Sequence, residues 1–120
     1  MLFRVDPGSA VPLGDQIAAR VRRAIADGEV APGERLPSAR ALAESLGVNL
    51  HTVLRGYQQL RDEGLIELRR GRGAVVLADT PARARLLEKV RALVSEAHAL
   101  GLTDDEVVGL VRNGLRGSEA

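Results

Sequence analysis

The residues best suited to chemistry form a basic cluster past the middle of the chain. The stretch LRRGRGAVVL, residues 68–77, holds three arginines and two glycines in five positions: Arg69, Arg70, Gly71, Arg72 and Gly73. Guanidinium groups neutralise phosphates and release counterions, and glycines let a backbone approach a ligand closely. The stretch therefore suits the phosphates of a nucleic acid or of a nucleotide, unless it is only a solvated turn.

Catalysis and nucleotide binding find little support. The stretch lacks the third glycine of a dinucleotide fingerprint, and a strand pattern rather than a helix follows it. His51 and His98 lie in different segments without a metalloprotease motif, no serine occupies a GxSxG elbow, and cysteine is absent. We expect no enzyme, no cofactor and no metal site.

Composition narrows the class of partner. Phe3 and Tyr57 are the only aromatic residues among 120, too few for a base-stacking platform, and a net charge of +1 means that attraction to a polyanion must be local. The sequence shows neither a signal peptide nor an apolar window of about 18 residues. Lack of cysteine suits a reducing compartment, so we expect a cytoplasmic protein that binds no membrane.

Three helices precede the basic cluster. Apolar residues spaced four apart predict the first helix over about residues 12–27. Ser38 and Asn49 are typical N-caps of two further helices, which Gly47 separates. The last helix has an apolar stripe of Leu50, Val53, Tyr57 and Leu60, and Gly56 in its middle suits close approach of another surface. Its opposite face carries His51, Thr52, Arg55 and Gln59.

A β-hairpin follows the helices. After Gly64, apolar and polar residues alternate, and the glycine-rich residues 70–73 separate this run from the apolar residues 74–77. One helix, two helices about a glycine turn, and a hairpin predict a winged helix-turn-helix over residues 1–78. The predicted fold class is α+β.

A helical tail is predicted over residues 79–120. Thr80 and Pro81 start its first helix, Gly101 ends that helix, and the sequence TDDE at 103–106 is a capping box for the second. The last residues, 117–120, are expected to be frayed or disordered. Heptad-like apolar spacing favours a dimer contact over an intramolecular core, which stays the alternative. The predicted interface residues are Leu86, Val90, Leu93, Val94, Ala97, Leu100, Val107, Leu110 and Val111.

The helix pair and the hairpin together favour binding to double-stranded DNA. A helix-turn-helix places its second helix in the major groove, and a basic wing suits the minor groove or the flanking phosphates. The residues expected to contact DNA are Asn49, His51, Thr52, Arg55, Arg70, Gly71, Arg72 and Gly73. The same surfaces would also fit a protein-binding module whose basic tip only aids solubility.

The chain resembles the GntR family of bacterial transcriptional regulators over about residues 11–77. The matching segments are APGERLPSAR, LAESLGVN followed by HTV, EGLIE and RRGRG. The resemblance implies that Arg40, and Ser38 beside it, contact DNA. In the same comparison, Thr52 matches a threonine of the family's recognition helix, and Gly71 and Gly73 match its wing glycines. The short tail is similar to that of the YtrA-like subgroup. This implies a homodimer, usually a repressor, on an inverted-repeat operator, without a large ligand domain; it leaves any small-molecule effector unknown.

The chain departs from the family pattern at five positions. Leu50 and Leu54 stand where longer members carry arginines, and Leu50 and His51 stand where the short subgroup often has proline and asparagine, so the family's base contacts cannot be transferred to these positions. Ala74 and Val75 replace the usual Thr-Phe after the wing. We expect packing from Leu50 and a smaller apolar anchor beneath the hairpin.

Overall fold

The helices and strands occur in the predicted order in the computed structural model, which describes residues 1–70, 73–77 and 80–118. They are α1 (Leu13–Ala26), α2 (Ala39–Leu46), α3 (Leu50–Asp62), β1 (Ile66–Arg69), β2 (Gly73–Val76), α4 (Thr80–Ala99) and α5 (Asp104–Ser118). The chain divides into two compact units, residues 1–86 and 87–120. The division falls inside α4. No helix within the described ranges is long and apolar enough to cross a membrane.

Two capped helices meet at a tight glycine turn. The Ser38 hydroxyl accepts a hydrogen bond from the Ala41 backbone N–H at 3.1 Å, and Asn49 Oδ1 accepts one from His51 N–H at 2.7 Å. Between them Gly47 has φ +68°, a left-handed conformation that glycine adopts without strain. Both predicted caps and the predicted turn are confirmed.

Helices α1 and α3 cross at two glycines. A Cβ atom at position 56 would lie 2.8 Å from the carbonyl oxygen of Gly14, and one at position 14 would lie 3.2 Å from that of Thr52. The predicted close approach at Gly56 is confirmed. The predicted stripe is buried at Val53, Tyr57 and Leu60, whereas Leu50, the first residue of α3, is only half-buried.

The hairpin is a two-stranded sheet with a third segment, residues 33–36, hydrogen-bonded along its edge. Strands β1 and β2 pair antiparallel, with Ile66 opposite Val76. Along the other edge of β2, Gly33 N–H donates to the Val76 carbonyl at 2.7 Å and Leu36 N–H donates to that of Ala74 at 2.9 Å. No pattern in the sequence indicated this third segment. It joins the α1–α2 connection to the wing and completes a winged helix-turn-helix of the α+β class.

A buried ion pair fixes α1 to the end of α3. Arg22, whose side chain is 2% exposed, donates from Nη2 to Glu63 Oε1 at 2.7 Å and from Nε to Oε2 at 3.0 Å. This bidentate geometry is the strongest form of such a pair. Since α3 carries the predicted DNA-reading face, the pair helps to hold that face in position.

The second unit contains a helical hairpin. Gly101, with φ +79°, ends the turn after α4. Thr103 N–H donates to Glu106 Oε1 at 3.0 Å and Glu106 N–H donates to Thr103 Oγ1 at 3.2 Å, so the predicted capping box is confirmed. Helix α5 includes residues 117 and 118, where fraying is predicted, because its backbone ladder continues through them. The last two residues lie outside the described ranges.

Candidate nucleic-acid interface

The outer face of α3 presents two exposed side chains one turn apart, His51 and Arg55, with Thr52 half-buried beside them. Buried Val53 and Tyr57 anchor the opposite face of the same helix. The outer face is therefore held by the core, and its imidazole and guanidinium groups can donate to base edges or phosphates.

Ser38 and Asn49 have a second task in the structure. Because the oxygen of each side chain accepts a helix-capping hydrogen bond, it is engaged with the backbone. The hydroxyl hydrogen of Ser38 and the amide hydrogens of Asn49 are donors, and the capping bonds do not use them. These donors can therefore contact a phosphate or base acceptor without breaking the caps.

Arg40 is exposed in the first turn of α2. The backbone N–H groups at a helix N-terminus carry partial positive charge, which adds to that of the guanidinium. This end of α2 suits a phosphate.

The described part of the wing tip is basic and open. Arg70 is exposed, while Arg69 pairs with Glu67 at 3.1 Å. Gly73 has φ +70°, and a Cβ there would meet no atom within 4 Å, so backbone conformation rather than crowding favours glycine. Gly71 and Arg72, also predicted to contact DNA, lie outside the described residues.

A cavity of about 300 Å³ separates the wing from the helix pair, and we call it the wing groove. Leu54 and Tyr57 line it from α3, and Ser38 lies at its α2 end. Leu68 and Arg70 line it from the hairpin. No pattern in the sequence indicated this groove. Alternation within β1 signals which side Leu68 faces, but not that the apolar surface is left uncovered.

Tyr57 connects α3 to the start of α2. Its side chain is buried, and its hydroxyl donates to the Pro37 carbonyl at 2.6 Å. Burial raises the pKa of the Tyr57 phenol far above its usual value. The hydroxyl therefore stays protonated and continues to donate, which fixes α2 relative to the His51–Arg55 face.

The predicted interface residues of the tail differ in exposure. Six are exposed in the single chain: Leu86, Val90, Leu93, Leu100, Leu110 and Val111. Val94 and Val107 are half-buried, and Ala97 is buried. Leu86, within α4, is 62% exposed, and Leu100, in the turn that follows α4, is 80% exposed. Their contact with a second subunit stays a prediction.

Comparison with known protein families and sequences gives one consistent result. The family model described as "Bacterial regulatory proteins, gntR family" matches residues 13–76. The HTH-type transcriptional regulator Rv1152 of Mycobacterium tuberculosis is 35% identical over 106 residues, which cover 88% of each chain. The HTH-type transcriptional repressor YtrA of Bacillus subtilis is 31% identical over 107 residues, covering 84% of this chain and 82% of its own.

Solved structures agree with the sequences. The GntR-family transcription factor YtrA from Sulfolobus acidocaldarius is 40% identical, with a TM-score of 0.60 over 76% of this chain and 96% of its own. The structure of AraR(DBD) in complex with operator ORX1 is 27% identical, with a TM-score of 0.54 over 62% of this chain and 92% of its own. The similarity thus includes a domain solved on its operator.

Proposed function

Since this chain belongs to the gntR family of bacterial regulatory proteins, we propose that it binds an inverted-repeat operator as a homodimer and represses transcription. The protein would act in the bacterial cytoplasm, where its operator lies. It would perform no chemistry on its partner.

One observation carries the proposal: a single unit holds an exposed polar helix face and a basic hairpin tip. His51 and Arg55 lie on α3, and Arg70 lies at the end of β1. Helix-turn-helix proteins use such a face to contact base edges, and basic tips to contact phosphates. The operator complex of AraR(DBD) supports this use of the fold.

The proposed roles follow from exposure and position. Arg55 and His51 would specify sequence in the major groove, where arginine pairs bidentately with guanine. Arg40 and Arg70, with Arg72 outside the described residues, would contact phosphates and set the register.

The exposed tail residues support the homodimer. Leu86, Val90 and Leu93 follow one another at steps of four and three in α4, and each is exposed in the single chain. Packing this stripe against the same stripe of a second subunit would remove apolar area from water. It would also place two winged helix-turn-helix units side by side in one dimer. Two such units in a dimer match two DNA half-sites about one helical turn apart.

Selection of bound sequences from a random duplex pool tests DNA binding by the full chain. An inverted repeat should emerge. Salt-insensitive binding to a protein, with no enrichment of any DNA, would support the protein-binding module instead.

Arginine variants then separate base contacts from phosphate contacts. Arg55→Ala should lose about 1–3 kcal/mol of discrimination at one base pair. Arg70→Ala should weaken binding to all sequences and reduce the salt slope by about one unit. Arg61→Ala is the matched control, because it removes an exposed arginine from the far end of α3. Equal losses for all three variants would contradict the assigned roles.

Sedimentation velocity tests the dimer. Leu93→Glu should yield monomers, whereas Val11→Glu, which places the same charge on an exposed apolar site of the first unit, should not. An intact Leu93→Glu dimer would remove the tail from the interface.

A further inference from the structure

The floor of the wing groove is apolar. Leu68 lies opposite Ala74 in the hairpin register, two pairs beyond Ile66 and Val76 and therefore on the same, inward face as these core residues. The inward face of the hairpin therefore continues past the core and lines the groove together with Leu54 and Tyr57 of α3. At about 300 Å³ the groove is at the small end of ligand pockets.

Contact with DNA phosphates does not account for this floor. A phosphodiester strand passing between α3 and the wing would use the charges at the rim, but its oxygens would gain nothing from Leu54 and Leu68. Apolar surface is stabilised by an apolar partner that removes it from water. The floor therefore fits a ligand with a hydrocarbon body.

Among the described residues, the rim of the groove carries a net charge of +1. Arg69 and Arg70 both line it, and Arg69 is paired with Glu67 at 3.1 Å. Among the described residues no carboxylate pairs with Arg70. A single negative charge matches this rim, and a guanidinium fork fits a carboxylate bidentately.

We propose that the wing groove is an effector site for a small amphipathic monocarboxylate, whose hydrocarbon body lies on Leu54 and Leu68 and whose carboxylate binds Arg70. The bound ligand occupies the space between α3 and the wing. It also binds the Arg70 guanidinium, which the proposed function assigns to a DNA phosphate. Ligand and DNA therefore exclude one another. This exclusion rests on the proposed function, whereas the binding site does not.

The site is tested first without DNA. Titration of the ¹⁵N-labelled full chain with 4-phenylbutyrate should shift the amide signals of Leu54, Leu68 and Ala74. Two matched probes each lack one feature: 4-phenylbutyramide lacks the charge and acetate lacks the hydrocarbon body. The amide should bind about tenfold more weakly and acetate more weakly still. Equal affinity for the amide, or signal shifts confined to the tail helices, would overturn the proposal.

Variants locate the contacts. Leu68→Glu places a carboxylate on the floor and Leu54→Trp fills the groove, so each should reduce 4-phenylbutyrate affinity about tenfold. Arg70→Gln should do so for the carboxylate but not for the amide, while Arg61→Gln changes neither. Because Leu68→Glu and Leu54→Trp alter different elements, disruption of the hairpin by one leaves the other informative. Undiminished affinity in folded Leu54→Trp would overturn the site.

Competition tests the exclusion. Fluorescence anisotropy of a labelled duplex from the selected pool should show that 4-phenylbutyrate, but neither control probe, raises the apparent Kd for DNA. If the probe binds in the groove and DNA affinity is unchanged, the exclusion is wrong. If no DNA binds under any condition while the probe does, the proposed function fails and the site stands.

Discussion

Replacement of Gly56 by alanine tests how closely α1 and α3 must approach. The new Cβ would lie 2.8 Å from the carbonyl oxygen of Gly14 and 3.3 Å from Ile17 Cγ2. Non-bonded heavy atoms favour separations of about 3.5 Å, so the helices must move apart by at least about half an ångström. The closest partner is backbone, and no side-chain rotation relieves the contact.

The expected loss of stability follows from two opposing terms. Overpacking of this kind costs about 1–3 kcal/mol, and a backbone contact belongs in the upper half of that range. Alanine returns about 1 kcal/mol through its higher helix propensity. The free energy of unfolding should therefore fall by about 1–2 kcal/mol, which lowers the Tm of a unit of this size by roughly 5–15 °C.

Tyr57 provides the assay. It is the only tyrosine, the chain has no tryptophan, and it directly follows residue 56 in α3. Urea unfolding followed by tyrosine fluorescence, at one fixed protein concentration, therefore reports on this unit. Gly114→Ala is the control, because a Cβ there meets no atom within 4 Å and should slightly stabilise α5, as measured by circular dichroism. Should Gly56→Ala prove as stable as the parent, the close approach would not be required.

Three further predictions concern the charges and hydrogen bonds that position the site. Burial raises the Tyr57 pKa, so the stability that the neutral phenol contributes is complete below the unfolded tyrosine's pKa of about 10 and is lost as the pH rises above it. Tyr57→Phe should abolish this alkaline loss in urea titrations followed by circular dichroism, and its persistence would assign it to another group. A backbone hydrogen bond and a side-chain hydrogen bond from Thr103 lower the pKa of Glu106, so its stabilisation of α5 is present above the unfolded pKa of about 4.3 and is lost as the pH falls through the folded value. Thr103→Ala should raise the Glu106 pKa part of the way in ¹³C carboxyl NMR; no change would leave the depression to the backbone bond alone. Arg22→Met should cost about 3 kcal/mol, because it leaves Glu63 without its guanidinium, and the double variant with Glu63→Leu should recover most of that loss. An equal loss in both variants would point to packing instead.

Local sequence signals predicted the helix pair α2 and α3 well. Ser38 and Asn49 are residue types that cap helices, and Gly47 is the type that adopts a left-handed turn, so short-range chemistry fixes the helix pair. Glycine in mid-helix at position 56 predicted a close neighbour. The residue that approaches it, Gly14, lies in another helix, and no local pattern indicated it.

Contacts between segments far apart in the chain could not be predicted from the sequence. Arg22 and Glu63 are 41 positions apart, and each alone resembles an ordinary surface charge. Residues 33–36 show no strand alternation, because their pairing is set by the edge of β2 that they meet. The wing groove could not be predicted for a related reason. Its walls come from three elements, and only the tertiary fold sets the distances between them.

The pairing of residues 33–36 with β2 limits how this domain tolerates changes in length. A connection between two helices normally accepts insertions, because its backbone groups face solvent. Here Val76 N–H donates to the Glu34 carbonyl at 2.9 Å, and the Gly33 and Leu36 amides donate to β2, so one added residue would shift the pairing and turn the following side chains to the other face. A wing transplanted from another protein to change DNA specificity would therefore have to bring its own 33–36 segment with it.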